Sequence, residues 1–234
     1  MRVSFLSELL TATVFLGLAG AVVVTHPNTP LPDAWNPTKP LLVSDPRTPL
    51  TRFKARIAQG SIEKCIAALD QSELSSMPPL EESSECGVRD RVRLERAGGM
   101  SMAPVETTCA VALRLALWER HDLQEAAKRL LGAQVDRLEH LSSYSCRRIR
   151  TSGGEGDRMS THASARAIDV TGFRLSDGRE VQLLEDWGKR DNVDTFLRAA
   201  QASACDWFGG VLGPDFNALH ADHFHMQLHG GFCR

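Results

Sequence analysis

The stretch DHFHMQL, residues 222–228, alternates polar and apolar side chains, and this pattern constrains the fold more than any other part of the 234-residue chain. In a β-strand, side chains two residues apart point to the same face of the sheet. One face of this strand would carry apolar side chains into a core: Phe224, Met226 and Leu228. The other face would carry polar side chains: His223, His225 and Gln227. The alternation therefore predicts a half-buried strand that holds two imidazoles side by side.

A further histidine and a carboxylate occur in STHASARAIDV, residues 160–170, as His162 and Asp169. Asp169 lies in the apolar run AIDV, where a lone carboxylate needs a partner. A catalytic zinc takes three protein ligands and keeps one position for water. His162, Asp169 and one histidine of the H-x-H pair would supply that set. On spacing alone, chance clustering of surface histidines explains the pattern equally well.

Residues 1–24 are predicted to direct export, because residues 9–24, LLTATVFLGLAGAVVV, are apolar and uncharged. One interpretation is a secretory signal peptide cut after Ala19–Ala21. The other is an uncleaved inner-membrane anchor, for which the run is slightly shorter than the roughly 20 residues of a full span. The three valines after the possible cut are atypical of a cleavage region and favour the anchor. Either interpretation places the rest of the chain in the periplasm.

Six cysteines agree with export, and none forms a C-x-x-C pair that would indicate a zinc knuckle or a thioredoxin-type site. An even number of cysteines in an exported chain favours disulfides. We predict that neighbours in sequence pair: Cys65 with Cys86, Cys109 with Cys146, and Cys205 with Cys233.

Residues 25–50 are rich in proline and predict an extended linker, so that the folded domain covers residues 51–234. Helical patterns precede and separate the strand candidates. One helix is predicted after Ser61 as its N-cap, and another after Asp122 as its cap. The fold class is therefore α+β, with a small antiparallel sheet core that is flanked by helices and crosslinked by disulfides. The net charge of −2 gives no basic field for nucleic acid.

Taken together, S-x-H-x6-D and the later H-x-H resemble the lysostaphin/D-Ala-D-Ala metallopeptidase superfamily, whose members hydrolyse peptidoglycan peptides. More closely, roughly residues 48–234 resemble the bacterial extensin-like C-terminal domain family, including the cysteine positions. Many metallopeptidase relatives carry a glycine before A-x-D, where this chain has Ser164 followed by Ala165.

This resemblance implies a role for several residues. The zinc ligands would be His162, Asp169 and His225. Ser160 would lie behind the ligands or donate to substrate, and Arg147, or its neighbour Arg148, would bind a substrate carbonyl or carboxylate. The general base would be Asp222 or His223, and the sequence leaves that choice open.

The activity implied is zinc-dependent hydrolysis of an amide bond in a peptidoglycan stem peptide or crosslink, by a carboxypeptidase or an endopeptidase. The alternative is a non-catalytic, zinc-stabilised domain that binds peptidoglycan or acts as an envelope scaffold. A fourth protein ligand such as His223 or His220 would favour that alternative, because structural zinc sites are closed.

Overall fold

The computed structural model describes residues 2–26, 28–151 and 153–234, so that Met1 of the predicted leader and Pro27 of the predicted linker lie outside it. The leader forms one long helix, α1 (Arg2–Thr25). Its segment Ser7–Thr25 has a mean hydropathy of 1.9, and none of it is buried against the rest of the chain. This helix is long and apolar enough to cross a membrane. A signal sequence and a membrane anchor both have such a length and composition.

Short runs of helices and of strands make up the rest of the chain. The helices are α2 (Thr51–Ala58), α3 (Ile62–Ala68), α4 (Cys109–Trp118), α5 (Gln124–Leu131), α6 (Leu183–Asp186) and α7 (Asn192–Trp207). The strands are β1 (Glu73–Ser76), β2 (Leu80–Glu81), β3 (Gly87–Val88), β4 (Arg91–Ala97), β5 (Met100–Thr108), β6 (Val135–His140), β7 (Arg148–Thr151), β8 (Gly154–Met159), β9 (Ala167–Leu175), β10 (Glu180–Gln182), β11 (Gly210–Leu212), β12 (Phe224–Gln227) and β13 (Phe232–Cys233).

The main sheet has nine strands in the order β1-β4-β5-β6-β9-β12-β11-β13, with β10 paired to β9. The α+β class is confirmed, but the prediction of a small antiparallel sheet is wrong, because the sheet is larger and mixed. β5 and β6 run parallel since the chain between them crosses over through α4 and α5. β11 and β13 are also parallel.

One apolar core lies between this sheet and the helices α4 and α7. Trp118, Phe173, Phe196 and Phe224 are among its largest fully buried side chains. The Ser61 side chain caps α3 as predicted, by accepting from the Lys64 backbone N–H. Asp122 is not a helix cap, because it lies inside a π-helical turn, Glu119–Leu123, that continues α4 into α5.

The proline-rich segment is packed against the domain over its second half. Leu41 is 4% exposed and Val43 is fully buried. The Val43 N–H donates to the carbonyl of Ala68 at 2.9 Å. The packed domain therefore begins before Thr51, the start that the composition predicts, because a proline-rich chain without regular structure can still bury its apolar side chains.

All six cysteines form disulfides, and Cys205–Cys233 is paired as predicted. The other two predicted pairings are wrong, because the bonds are Cys65–Cys109 and Cys86–Cys146. Packing of helices decides the first bond, since α3 and α4 lie against each other and carry Cys65 and Cys109. The second bond joins the short hairpin β2–β3 to the start of the hairpin β7–β8.

Candidate metal centre

Two adjacent strands bring the aspartate and one histidine together. β9 and β12 are antiparallel neighbours, and their register places His225 directly opposite Asp169. Phe224 and Met226 of β12 are fully buried, whereas His223, His225 and Gln227 share the other face. The alternation in the sequence thus gives the strand and the face that it predicts.

A short turn brings His162 to the same point. Residues Thr161–Ser164 form a 3-10 turn, and the Ser160 side chain accepts from the His162 N–H at its start. Ala165 ends the turn in the left-handed conformation, at φ 49°, which favours glycine. Its carbonyl accepts from the Thr108 hydroxyl at 3.1 Å, which holds the turn on the sheet. The chain can therefore reverse between His162 and Asp169 within the predicted spacing.

Three side-chain atoms converge in this region. Nε2 of His162 lies 3.1 Å from Nδ1 of His225 and 3.2 Å from Oδ1 of Asp169. Nδ1 of His225 is 2.9 Å from the same Oδ1 atom. His162 is 1% exposed and Asp169 7%, so bulk water does not separate them.

The outer nitrogen of each imidazole faces an acceptor. Nδ1 of His162 is 2.9 Å from the backbone carbonyl of Ser143. Nε2 of His225 is 2.9 Å from Oε1 of Gln227. A carbonyl oxygen can only accept, so the hydrogen of each neutral ring belongs on its outer nitrogen. The lone pair of each inner nitrogen is then directed at the region where the three side chains meet, which is the orientation that a metal ligand requires.

The donor set fits a divalent zinc ion. Imidazole and carboxylate are zinc ligands, and ligand atoms around a tetrahedral ion lie about 3.3 Å from each other. Among the residues that the structure describes, His162, Asp169 and His225 are the group whose ligand atoms all lie within 4.8 Å of one another. Their assignment as zinc ligands remains a prediction.

Where the inner nitrogens are protonated instead, the two imidazoles donate to the carboxylate and keep it charged. Burial acts to raise the pKa of Asp169, but the hydrogen bonds with His162 and His225 and their charges outweigh it and lower that pKa well below its ordinary value. An ionised Asp169 is available as a metal ligand at any physiological pH.

The two candidate bases form one hydrogen-bonded pair. Nδ1 of His223 is 2.7 Å from Oδ1 of Asp222. Nε2 of His223 is directed at the cluster and lies 3.7 Å from Oδ1 of Asp169. The Asp222 side chain is 51% exposed and that of His223 is 12% exposed. His223 is thus the member of the pair nearer to the cluster, and Asp222 lies behind it.

His220 borders the cluster as a neutral ring. Its centroid lies 5.2 Å from that of His223 and 6.0 Å from that of His225. Burial, followed by repulsion from these two rings in their protonated forms, lowers the pKa of His220 to about 4. Its Nδ1 is 2.7 Å from Oδ1 of Asn217, which orients it.

Arg147 and Ser160 lie next to each other at the base of the β7–β8 hairpin. The Ser160 N–H donates to the Arg147 carbonyl at 3.0 Å. The half-buried Arg147 guanidinium donates to the Arg148 carbonyl at 3.3 Å, which uses one of its five donors. Ser160 is 8% exposed, and its oxygen serves the turn that carries His162. The structure therefore does not bring the Arg147 side chain into contact with the three converging atoms.

Two contacts orient the histidines of the cluster, and they differ in how far the sequence could have predicted them. Gln227 accepts from His225 and also from the Thr161 hydroxyl at 3.2 Å. It follows the histidines on the same face of the strand, so the alternation could have identified its role. The Ser143 carbonyl is a backbone group, and every residue has one, so the sequence could not have identified its role. The buried Ser143 hydroxyl fixes that carbonyl by donating to Ala167 O at 2.6 Å.

Fold and site together define a disulfide-bonded α+β domain with a His–Asp–His cluster, formed by two central strands and the turn that precedes β9. A family model described as extensin-like protein C-terminus matches residues 63–234, and the chain belongs to this family. Searches of curated proteins and of solved structures found no match. The apolar N-terminal helix indicates a signal or an anchor, and the disulfides indicate an exported protein.

Proposed function

We propose that this protein is a zinc-dependent peptidase that hydrolyses an amide bond in a peptidoglycan stem peptide or crosslink, in the periplasm. The observation that carries the proposal is the convergence of Nε2 of His162, Oδ1 of Asp169 and Nδ1 of His225, with the outer nitrogen of each ring facing an acceptor. His162, Asp169 and His225 would hold the ion. When bound, zinc supplies a Lewis acid that polarises a carbonyl and acidifies water.

His223 is suited to move the proton. With its Nδ1–H donated to Asp222, Nε2 of the neutral ring carries a lone pair on the side of the cluster. That nitrogen can take a proton from the attacking water and return it to the leaving amine. Asp222 holds the ring in this tautomer and stabilises the imidazolium that forms. The choice between the two bases therefore favours His223, with Asp222 as its positioning residue.

Arg147 is suited to bind the substrate. Its guanidinium retains donors in a planar fork that matches a carboxylate, and the Cys86–Cys146 disulfide fixes the backbone beside it. A stem peptide offers both carboxylates and carbonyls to such a group. The β7–β8 hairpin separates Arg147 from His162 in sequence, and Ser160 connects them, because its N–H donates to the Arg147 carbonyl and its hydroxyl accepts from the His162 N–H.

The non-catalytic alternative is less well supported. It needs a fourth protein ligand to close the coordination sphere. In the described residues, the group with all ligand atoms within 4.8 Å of one another has three members and does not include His223 or His220. Three protein ligands agree with a centre that admits substrate.

The proposal is tested by comparing the full chain with its His162→Ala and Asp169→Asn variants for metal content and for digestion of purified sacculi. We expect both variants to lose zinc and activity. His229→Ala is the matched control, because His229 is exposed and contacts Arg166 rather than the cluster. Mass spectrometry of the released muropeptides identifies the bond that is cut. Zinc retained by both ligand variants would refute the centre, and zinc-loaded protein without release of any muropeptide would refute the peptidase.

A further inference from the structure

Three large apolar side chains are exposed where the packed domain begins. Trp35 is 49% exposed, Phe53 51% and Ile57 45%. Phe53 and Ile57 are four residues apart in α2, so they lie on one side of that helix. Exposed apolar residues are common singly, but a group of them near a membrane-type helix indicates a surface that is covered.

Hydrogen bonds hold the turn that carries Trp35 against α2, the helix that carries Phe53 and Ile57. The turn Asp33–Trp35 is tied to α2 by Nζ of Lys54, which donates to the Asp33 carbonyl at 2.6 Å. The Thr48 hydroxyl donates to the Ala34 carbonyl at 3.1 Å. We refer to Trp35, Phe53 and Ile57 together as the apolar face.

The end of α1 lies beside this face. Asn36 is fully buried, and its Nδ2 donates to the carbonyl of Val24, in the last turn of α1, at 2.9 Å. The span Ser7–Thr25 is about 28 Å long at 1.5 Å per residue, close to the roughly 30 Å of a bilayer's hydrocarbon core. Where α1 crosses a membrane, Val24 lies at the headgroup level, and so does Trp35, the neighbour of Asn36. Tryptophan is enriched at that level.

Two arginines of α2 are adjacent in sequence to the apolar residues of that helix. Arg52 and Arg56 each precede one of them in sequence. Arg52 is 57% exposed and pairs with Asp206 at 2.7 Å. Arg56 is exposed and has no ion pair within the described part of the chain. A guanidinium binds phosphate oxygens well, so both side chains suit lipid headgroups next to the apolar face.

We propose that the apolar face docks on the phospholipid headgroup layer of the membrane that α1 crosses. α1 would then be a retained anchor, and the domain would lie against the bilayer in one fixed orientation instead of moving freely on its tether. The proposal depends on α1 and on the apolar face, and it is independent of the peptidase proposal.

The test uses the full chain reconstituted in vesicles of phosphatidylethanolamine and phosphatidylglycerol that contain brominated phosphatidylcholine, which quenches tryptophan on contact. A Trp35→Phe parent removes the native tryptophan of the face, and Phe53→Trp is added to it. The control adds Leu184→Trp instead, since Leu184 is 68% exposed on α6. α6 precedes the N-terminal end of α7, whereas Asp206, which pairs with Arg52, lies near its C-terminal end, about 20 Å away along the helix axis.

We expect the added emission of the Phe53→Trp variant to shift to shorter wavelength and to be quenched by the brominated lipid. That of Leu184→Trp should be unaffected, and adding Ile57→Gln to the Phe53→Trp variant should reduce the quenching. Equal quenching at both positions would overturn the proposal, because the contact would not be specific to this face. A shift to shorter wavelength without quenching by bromine would also overturn it, since a second copy of the chain would then cover the face.

Discussion

Asp222 and His223 are adjacent in sequence, yet their side chains hold different positions relative to the cluster. The carboxylate is half-exposed and contacts Nδ1 of His223, whereas Nε2 of His223 approaches Asp169. A base must reach the proton that it abstracts, so position decides between two groups whose chemistry is equally suitable. The sequence presents both residues as candidates for the general base, and only their contacts in the structure distinguish them.

Replacement of each member of this pair should therefore have a different effect. We expect His223→Ala to lower kcat on peptidoglycan fragments by about 10²–10⁴-fold, the usual contribution of a general base. Asp222→Asn should cause a smaller loss, because the amide oxygen can still accept from Nδ1. Metal content, measured in parallel, should stay unchanged in both. A larger loss in Asp222→Asn than in His223→Ala would make Asp222 the base, and loss of metal in His223→Ala would make His223 a ligand and favour the non-catalytic alternative.

Gln227 determines which nitrogen of His225 is directed at the cluster. It accepts from Nε2 of His225, and the Thr161 hydroxyl holds the amide oxygen in place. We expect Gln227→Leu to weaken zinc binding by about 10–100-fold, the usual effect of removing the partner of a ligating histidine. Competition with a chelator measures this affinity without any activity assay. Gln227→Glu restores an acceptor and should retain most of the affinity, whereas a Gln227→Leu protein that binds zinc as tightly as the wild type would contradict this role.

At the scale of elements, the parts that follow from local pattern were predictable. Alternation in residues 222–228 gives β12 and its two faces, and Ser61 marks the start of α3. The two wrong disulfide pairings and the mixed sheet share one cause. They depend on which elements pack together across long stretches of chain, such as α3 against α4, and spacing in sequence carries no information on that.

The Cys65–Cys109 bond joins α3 to α4, and both cysteines are buried in the core, at 2% and 1% exposure. It closes a loop with a sequence separation of 44 residues, for which chain entropy predicts a stabilisation of about 4 kcal/mol. We expect the double variant Cys65→Ala, Cys109→Ala to lose about that much free energy of unfolding in a urea titration. Cys205→Ala with Cys233→Ala is the comparison, since its shorter separation of 28 residues predicts a slightly smaller loss. Non-reducing peptide maps should contain the linked Cys65 and Cys109 peptides, and a Cys65–Cys86 peptide would contradict the structure.

At the scale of the whole molecule, the packed domain begins at a different place from the one that the composition predicts. Proline content separates residues 25–50 from the domain, but burial and hydrogen bonds join the second half of this segment to it. The segment also connects the end of α1 to α2, through Asn36 and through the Asp33 carbonyl. Composition reports the absence of regular structure, and it does not report whether an irregular chain is packed.

The stability of truncated chains tests where the domain begins. A chain starting at Asn28 keeps the packed segment, whereas one starting at Thr51 loses Leu41 and Val43, which are both buried in the core. Burying a leucine or valine side chain contributes about 1.5–3 kcal/mol, so we expect the shorter chain to be less stable by about 3–6 kcal/mol in urea unfolding. It also loses the carbonyl that Nζ of the buried Lys54 donates to, which adds to the loss. Equal unfolding free energies for the two chains would mean that residues 28–50 are a linker after all. A lower stability of the shorter chain would require any soluble form used for metal or activity measurements to begin before Ala34.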